Sequence, residues 1–409
     1  MNIDKIVFYY PSKITGGAEY LFLRCADYLA EHQDKYAIYI VDYEDGFLRK
    51  NASSKRISFI EYQTDTKTQI PDGAAVIVQL NILPLRSKRF VYDSTKSLFV
   101  FWCLHTLNIK NYIGRRNHFV LSKSDRKELG EHIRLLTEQN IIKFMGFGAY
   151  AIVMRDLFQE PRQFEWLQNI IPIESTDPEP QYQRVSSDEL KFCWLGRLDA
   201  EKARNIETYM NELESLNSQF RLSLSIIGLG PKEEYLREKA SHYSYPIHFV
   251  GEKRDENLDL FIRHETEIGL ASGTSAMEFS KRGKPTVCEG VIDKIYEAGE
   301  RKKYYLVSEG QSMYNISTKE LYREGDSSFT EKILQILKDY PACCKTEYQY
   351  VLQYAPSNCA NRLMSIVKDL CLSDQQLIGK HLEVADRLLN RGNRRINIMK
   401  KVKSLFSIS

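Results

Sequence analysis

The feature that most constrains this chain is a repeated alternation: short runs of β-branched and aromatic residues, each followed by a longer stretch with helical spacing. In the first half the strand-like runs are Ile6–Tyr10, Tyr36–Tyr43, Ile57–Gln63, Ala74–Leu80, Leu98–Leu104, His118–Ser122 and Ile141–Phe147. The second half repeats the pattern with Leu190–Leu198, Leu222–Gly228, Ile247–Gly251, Glu267–Ala271, Pro285–Glu289 and Tyr304–Val307. Several of these runs are continuously apolar, as strands covered by helices on both faces should be. Strands alternating with helices predict right-handed βαβ units and parallel sheets. The fold class is therefore α/β, with two Rossmann-like, doubly wound domains facing a cleft.

The two series are separated by a polar, acidic stretch with Pro172, Pro178 and Pro180, the composition of a linker. The expected division is residues 1–172, a linker at 173–189, a second domain at 190–355, and C-terminal helices with a basic tail at 356–409. Those last helices are expected to pack back on the first domain. From about residue 328 onward the pattern is helical, with apolar residues at three- and four-residue spacing in Phe329–Tyr340 at the end of the second domain and in Asn361–Leu372 and Asp374–Asn390 beyond it.

With 409 residues, 43% of them hydrophobic and 27% charged, disordered and collagen-like classes are excluded. Met1–Asp4 run directly into a strand pattern, which reads as a chain without a secretory leader. No apolar run approaches the ~20 residues needed to span a bilayer. The eight cysteines include no Cys-x-x-Cys and sit mostly in apolar runs, the usage of buried free thiols in a reducing, cytoplasmic compartment. Net charge is only +3, but Arg387, Arg391, Arg394, Arg395, Lys400, Lys401 and Lys403 fall in a tail without an acid, so the body is mildly acidic.

Candidate binding residues gather at the ends of strand-like runs, where open α/β sheets hold ligands. Gly16 and Gly17 stand between the first strand and a helix, where glycine allows close backbone approach and helix amides face an anion. A Gly-Gly pair equally serves a tight turn, and the spacing fails the Gly-x-Gly-x-x-Gly dinucleotide fingerprint. In the second half, Phe192-Cys-Trp-Leu-Gly-Arg-Leu-Asp-Ala-Glu-Lys202 puts Arg197 and Lys202 after a strand. A forked guanidinium and an ammonium there suit a diphosphate; solvated surface cations are the plainer reading. Ser272, Gly273, Thr274 and Ser275 combine hydroxyls with helix-start amides. Glu278 follows, able to accept hydrogen bonds from a sugar diol or to serve as an acid favoured by the helix dipole.

The ordered set Gly-Gly-Ala-Glu, Gly-Arg-Leu-x-x-Glu-Lys, Ile-Gly-x-Gly-Pro, Phe-x-Gly and Gly-Thr-Ser-Ala-Met-Glu followed by Pro-Thr-Val resembles the family 4 glycosyltransferases and their GT-B relatives, over about residues 5–310. The resemblance implies that Gly16 and Gly17 flank the donor phosphates or the acceptor, and that Arg197 and Lys202 hold the diphosphate. It implies further that Glu278 binds the ribose, that Ser272–Ser275 approach the phosphate from the other side, and that Arg254 faces the base. His105 falls where such enzymes carry a histidine near the transferred sugar; it also fits a structural histidine at a strand end. One departure stands out: many members carry a glutamate eight positions before Glu278, and here that residue is Leu270.

By this resemblance the chain is a glycosyltransferase, a hexosyltransferase acting on a glycan or glycolipid hydroxyl in the building of a surface polysaccharide, lipopolysaccharide or capsule. The nucleotide-sugar is its substrate and no cofactor is implied. The chain has no Asp-x-Asp and no cluster of metal-ligand spacing, so the leaving diphosphate would be stabilised by cations and helix termini without a metal. Retention of configuration is expected from the family, and residues 11–17 contain no His, Asp or Glu to act as an inverting base. A sugar-nucleotide epimerase of the same fold and a degenerate subunit supporting a partner transferase are the alternatives. The tail's interleaved cations and apolar residues suit an anionic membrane surface, giving a peripheral position at the inner face of the cytoplasmic membrane. A helix packed on the first domain is the other reading. Nucleic acid is not an expected partner.

Overall fold

A computed structural model describes residues 2–64, 66–79, 90–91, 96–104, 122–139, 141–145, 167, 170–173, 178–186, 188–289, 304–309 and 327–369, with scattered helical positions from 376 to 391. The chain divides into two compact units, one formed by Met1–Pro172 with Pro356–Ser409 and the other by Ile173–Ala355.

The first unit contains β1 (Lys5–Tyr9), β2 (Ala37–Asp42), β3 (Ile57–Glu61), β4 (Thr68–Gln69), β5 (Ala74–Gln79), β6 (Phe90–Val91), β7 (Ser97–Cys103) and β8 (Ile142–Phe144). Six of them form a sheet in the order β3-β2-β1-β5-β7-β8, while β4 and β6 pair separately. Every pairing is parallel. Among its helices are α1 (Gly17–His32), α2 (Phe47–Asn51) and α3 (Lys123–Glu138). The continuously apolar strands are explained by the two cores they feed. Ile6 and Phe8 pack with Phe22, Cys25 and Leu29 on one side of the sheet. Val7 and Tyr9 point the other way, toward Leu129, Ile133 and Leu136.

The second unit contains β9 (Leu190–Leu195), β10 (Leu222–Ile227), β11 (Ile247–Gly251), β12 (Ile268–Leu270), β13 (Thr286–Glu289) and β14 (Tyr304–Leu306), ordered β11-β10-β9-β12-β13-β14. Counted within each sheet, both orders are 3-2-1-4-5-6, the doubly wound arrangement. Its helices include α4 (Ala200–Leu216), α5 (Glu233–Ala240), α6 (Asp255–Glu265), α7 (Thr274–Ser280), α8 (Phe329–Lys338) and α9 (Tyr340–Leu352). Beyond them α10 (Pro356–Asp369) belongs to the first unit, where Cys359, Leu363 and Val367 join the core that holds α1.

Three sequence expectations change. The sheet of the second unit is not wholly parallel: β14 runs antiparallel to β13, with Cys288 opposite Tyr305. A three-residue buried run carries no directional signal, and an edge strand can be added either way. Ser122 is not the end of a strand but the N-cap of α3, exchanging hydrogen bonds with Asp125 in a capping box; the rest of that run, 118–121, lies outside the described residues. The helical pattern ending at Tyr340 does not stop there, because Asp339 caps a new helix through Ala342 N–H at 3.1 Å, and Pro341 sits in its first turn, where a missing N–H costs nothing. Of the eight cysteines, Cys371 lies outside the described residues; the other seven are free and six of them are buried.

Candidate functional site

In each sheet the strand order reverses beside the first strand, which opens a crevice at the carboxyl edge. In the second unit that point lies between β9 and β12, so the loops after these two strands become neighbours. Lys202, on the first turn of α4, donates from Nζ to Ser272 Oγ, just beyond β12, at 3.1 Å. The bond spans 70 residues of sequence and joins two of the candidates. Asp199 holds the start of α4 by accepting the Lys202 N–H at 3.0 Å. The Arg197 guanidinium lies 3.4 Å from the Asp199 carboxylate, with its side chain 71% exposed. One ammonium and one guanidinium therefore stand at the switch point.

Glycines make this edge possible by close packing of backbone on backbone. Gly196 N–H bonds Ile227 O at 3.1 Å, Leu198 N–H bonds Leu229 O at 3.0 Å, and Gly228 N–H bonds Gly251 O at 3.0 Å. Three consecutive strand-end loops are thereby laced together through backbone. Gly228 has φ +147°, and a Cβ on it would stand 1.9 Å from Gly196 O. Gly230 meets the Leu198 backbone at 2.5 Å in the same way. Gly273 takes φ +62° as the N-cap of α7, a conformation that favours glycine, and Thr274 and Ser275 open that helix.

Glu278 lies in the second turn of α7, so the reading of it as a first-turn acid favoured by the helix dipole does not hold. Its carboxylate is held by Lys281 Nζ at 2.7 Å and Arg282 at 2.8 Å, and Arg282 continues to Asp259 at 2.8 Å. Sequence reasoning took Glu278 alone; the i, i+3, i+4 spacing to Lys281 and Arg282 was the available signal for this cluster. Arg254 is the exposed N-cap of α6, paired with Glu252 at 2.7 Å. Arg254 and Glu278 have these partners of their own, Glu252 for the first and Lys281 and Arg282 for the second, while Lys202 holds Ser272.

In the first unit Gly16 is the N-cap of α1 and Gly17 its first residue. A Cβ on Gly16 would stand 2.5 Å from Glu19 Oε2, so here too glycine makes room for a neighbour. Glu19, only 4% exposed, accepts the Ser12 hydroxyl at 2.8 Å. Ser12 N–H donates to Asp42 at 2.9 Å, and Phe47 N–H donates to Ser12 O at 2.7 Å. Asp42, fully buried, also takes the N–H groups of Tyr43, Leu48 and Arg49. Burial pushes its carboxyl above the ordinary value, against these hydrogen bonds. The window 11–17 lacks an acid, but the loop itself does not: Glu19, three residues past the N-cap, folds back over it. The absence of an acid near this loop therefore gives no reason to expect retention. A glutamate at the third helical position was the available signal.

His105 lies outside the described residues. Of the basic tail, Arg387 pairs with Glu128 and Arg391 lies 3.7 Å from Asp125, both acids on α3, while Leu388 is buried in the same core; residues 392–409 are outside the described set. Among the described residues no helix is long and apolar enough to cross a membrane, and no three His, Cys, Asp or Glu side chains gather as a metal site.

No family model and no curated protein matches this sequence. Solved structures do. A glycosyltransferase from Rickettsia africae ESF-5 superposes with a TM-score of 0.57 at 12% identity, over 90% of this chain and 99% of that one. The apo form of WaaB, a lipopolysaccharide outer core galactosyltransferase, gives 0.51 at 13% identity, over 90% and 100%. With the two six-stranded sheets of shared order, these superpositions establish the fold as GT-B, in the α/β class.

Proposed function

We propose that the protein is a glycosyltransferase that takes a sugar from a nucleotide diphosphate sugar and passes it to a hydroxyl of a glycan or glycolipid. The observation that carries this reading is the Lys202–Ser272 contact at the switch point of the second sheet, beside Arg197. A diphosphate placed there would accept from an ammonium, a guanidinium and a hydroxyl, and these donors favour the charge that develops on the leaving group. The chemistry then needs no metal. Ser272–Ser275 would meet the phosphate from the β12 side and Arg254 the base, and Gly16 and Gly17 would flank the donor phosphates or the acceptor. Glu278 would receive the ribose on a carboxylate already oriented by Lys281 and Arg282.

Retention and transfer of a hexose are part of the proposal, as is His105 beside the transferred sugar. The likeness to a glycosyltransferase and to a lipopolysaccharide outer core galactosyltransferase favours a sugar-transfer role, with a lipopolysaccharide or related surface glycan as the acceptor class. A cytoplasmic protein at the inner face of the membrane suits such an acceptor. Arg394, Arg395, Lys400, Lys401 and Lys403 are the cations proposed to meet anionic lipid.

Calorimetric titration with UDP-, GDP- and dTDP-sugars tests the reading. One of these donors should bind, and Lys202→Met should weaken it by tenfold or more, equivalent to about 1.4 kcal/mol, without changing the circular dichroism. Equal donor affinity in a folded Lys202→Met protein, or no binding of any donor, overturns it.

A further inference from the structure

A second group of cations lies at the opposite edge of the same sheet. Arg263 and His264 end α6 just before β12, and Arg282 and Lys284 precede β13. The segment 178–185 packs across this turn: Gly283 has φ +68°, and a Cβ there would lie 2.9 Å from Pro180 and 3.1 Å from Tyr182. Beside this contact is a cavity of about 510 Å³, lined by Glu179, Arg184, Arg263, His264, Arg282 and Lys284 among others.

Most of these charges already have an explanation. Arg184 pairs with buried Glu267 at 3.1 Å, Arg263 with Asp259 at 2.6 Å, and Arg282 with both Asp259 and Glu278. Cations in the last turn of α6 also complement its dipole. Lys284 has no such account. It is 4% exposed and lines the cavity, no hydrogen bond or ion pair of its ammonium is found among the described residues, and the Glu267 carboxylate acts on it only at longer range. Drawing an ammonium into the fold without a direct partner is costly, because water's solvation is reduced and a carboxylate at longer range, itself held by Arg184, offsets only part of the loss. Burial pushes the group below its ordinary value, in the direction this cost requires.

We propose that this cavity is an anion site, which takes a small phosphate-bearing molecule with Lys284 as the buried anchor and Arg263 and Arg282 as forked donors at its wall. A single phosphate would leave most of the volume empty, and Pro178, Pro180 and Val185 supply an apolar wall for the organic part. The site lies apart from the Lys202 edge; Arg282, which also holds Glu278, is shared with the proposed transferase site, while the Lys284 and Arg263 arms of the test do not depend on the transferase reading.

The test uses the full chain carrying Lys202→Met, which silences the other edge, titrated with inorganic phosphate and pyrophosphate at constant ionic strength. Pyrophosphate should bind saturably at one site, and adding Lys284→Met should weaken it at least tenfold. Arg263→Gln, at a more exposed position that does not endanger folding, should weaken it severalfold. Without anion, Lys284→Met should melt at a higher temperature than its parent, because it removes a desolvated charge that has no direct partner. Phosphatidylglycerol vesicles that compete with pyrophosphate, where phosphatidylcholine vesicles do not, would identify a lipid headgroup as the source; no competition would identify a soluble ligand. Non-saturable binding, undiminished binding in folded Lys284→Met, or a lower melting temperature for that variant overturns the proposal.

Discussion

The two sheets share one strand order, yet the loops at their switch points are built from opposite materials. After β1, the first unit holds its loop with carboxylates: Asp42 collects four backbone N–H groups, and Glu19 takes the Ser12 hydroxyl. After β9, the second unit laces loop to loop through peptide groups, which close glycine contacts permit. That frees the side chains of Arg197 and Lys202 from holding the loop in place. The difference teaches that topology supplies a crevice in both halves, while the means of fixing the loop decides the charge it offers. The anionic donor proposed above suits the second.

The sharpest break of this comparison is Gly228→Ala. A methyl group 1.9 Å from Gly196 O cannot be accommodated without separating the two loops, so a loss on the order of 4 kcal/mol is expected in urea unfolding. A cost below about 1 kcal/mol would mean that the lacing is not what fixes this edge. Next is Asp42→Asn, which turns an NH₂ toward backbone donors and should cost roughly 3 kcal/mol while leaving donor affinity in the second unit unchanged.

Glu347 sharpens the contrast from the other side, since it is one of the second unit's buried acids, accepting from Ser280 at 2.8 Å and Ser308 N–H at 2.7 Å. Burial lifts its carboxyl from 4.5 to about 7. Between those values the folded protein binds more protons than the unfolded chain, so stability falls as pH rises through that window. Glu347→Gln should flatten the slope by roughly 2 kcal/mol between pH 5 and 7.5, and an unchanged slope would assign the titration elsewhere. The smallest effect is expected at Gly251→Ala. With φ +80° and nothing within 4 Å of the new methyl, only the backbone conformation is penalised, by about 1 kcal/mol. Comparable losses at Gly228 and Gly251 would remove the role given to close approach.

Much of the second-unit site was legible because its signals are local. Gly196, Arg197 and Lys202 follow an apolar run, and Glu278, Lys281 and Arg282 stand at helical spacing, although their mutual pairing went unread in favour of a ribose contact. Less was legible in the first unit. Attention to residues 11–17 missed Glu19, because its return over Gly16 depends on a helix starting at Gly17. Nothing local marks Lys284: a lysine between a glycine and a proline reads as a solvated turn, and its burial comes from a segment a hundred residues earlier folding over it.

By itself the sequence determined the elements and the class of their layers, since apolar run length and helical periodicity are properties of neighbours along the chain. Only the tertiary structure decided that the loops after β9 and β12 touch, that β14 runs backward, and which buried charges find partners. Those outcomes depend on strand order and on contacts between distant segments, where burial and pairing energies are set by surroundings that no local pattern encodes.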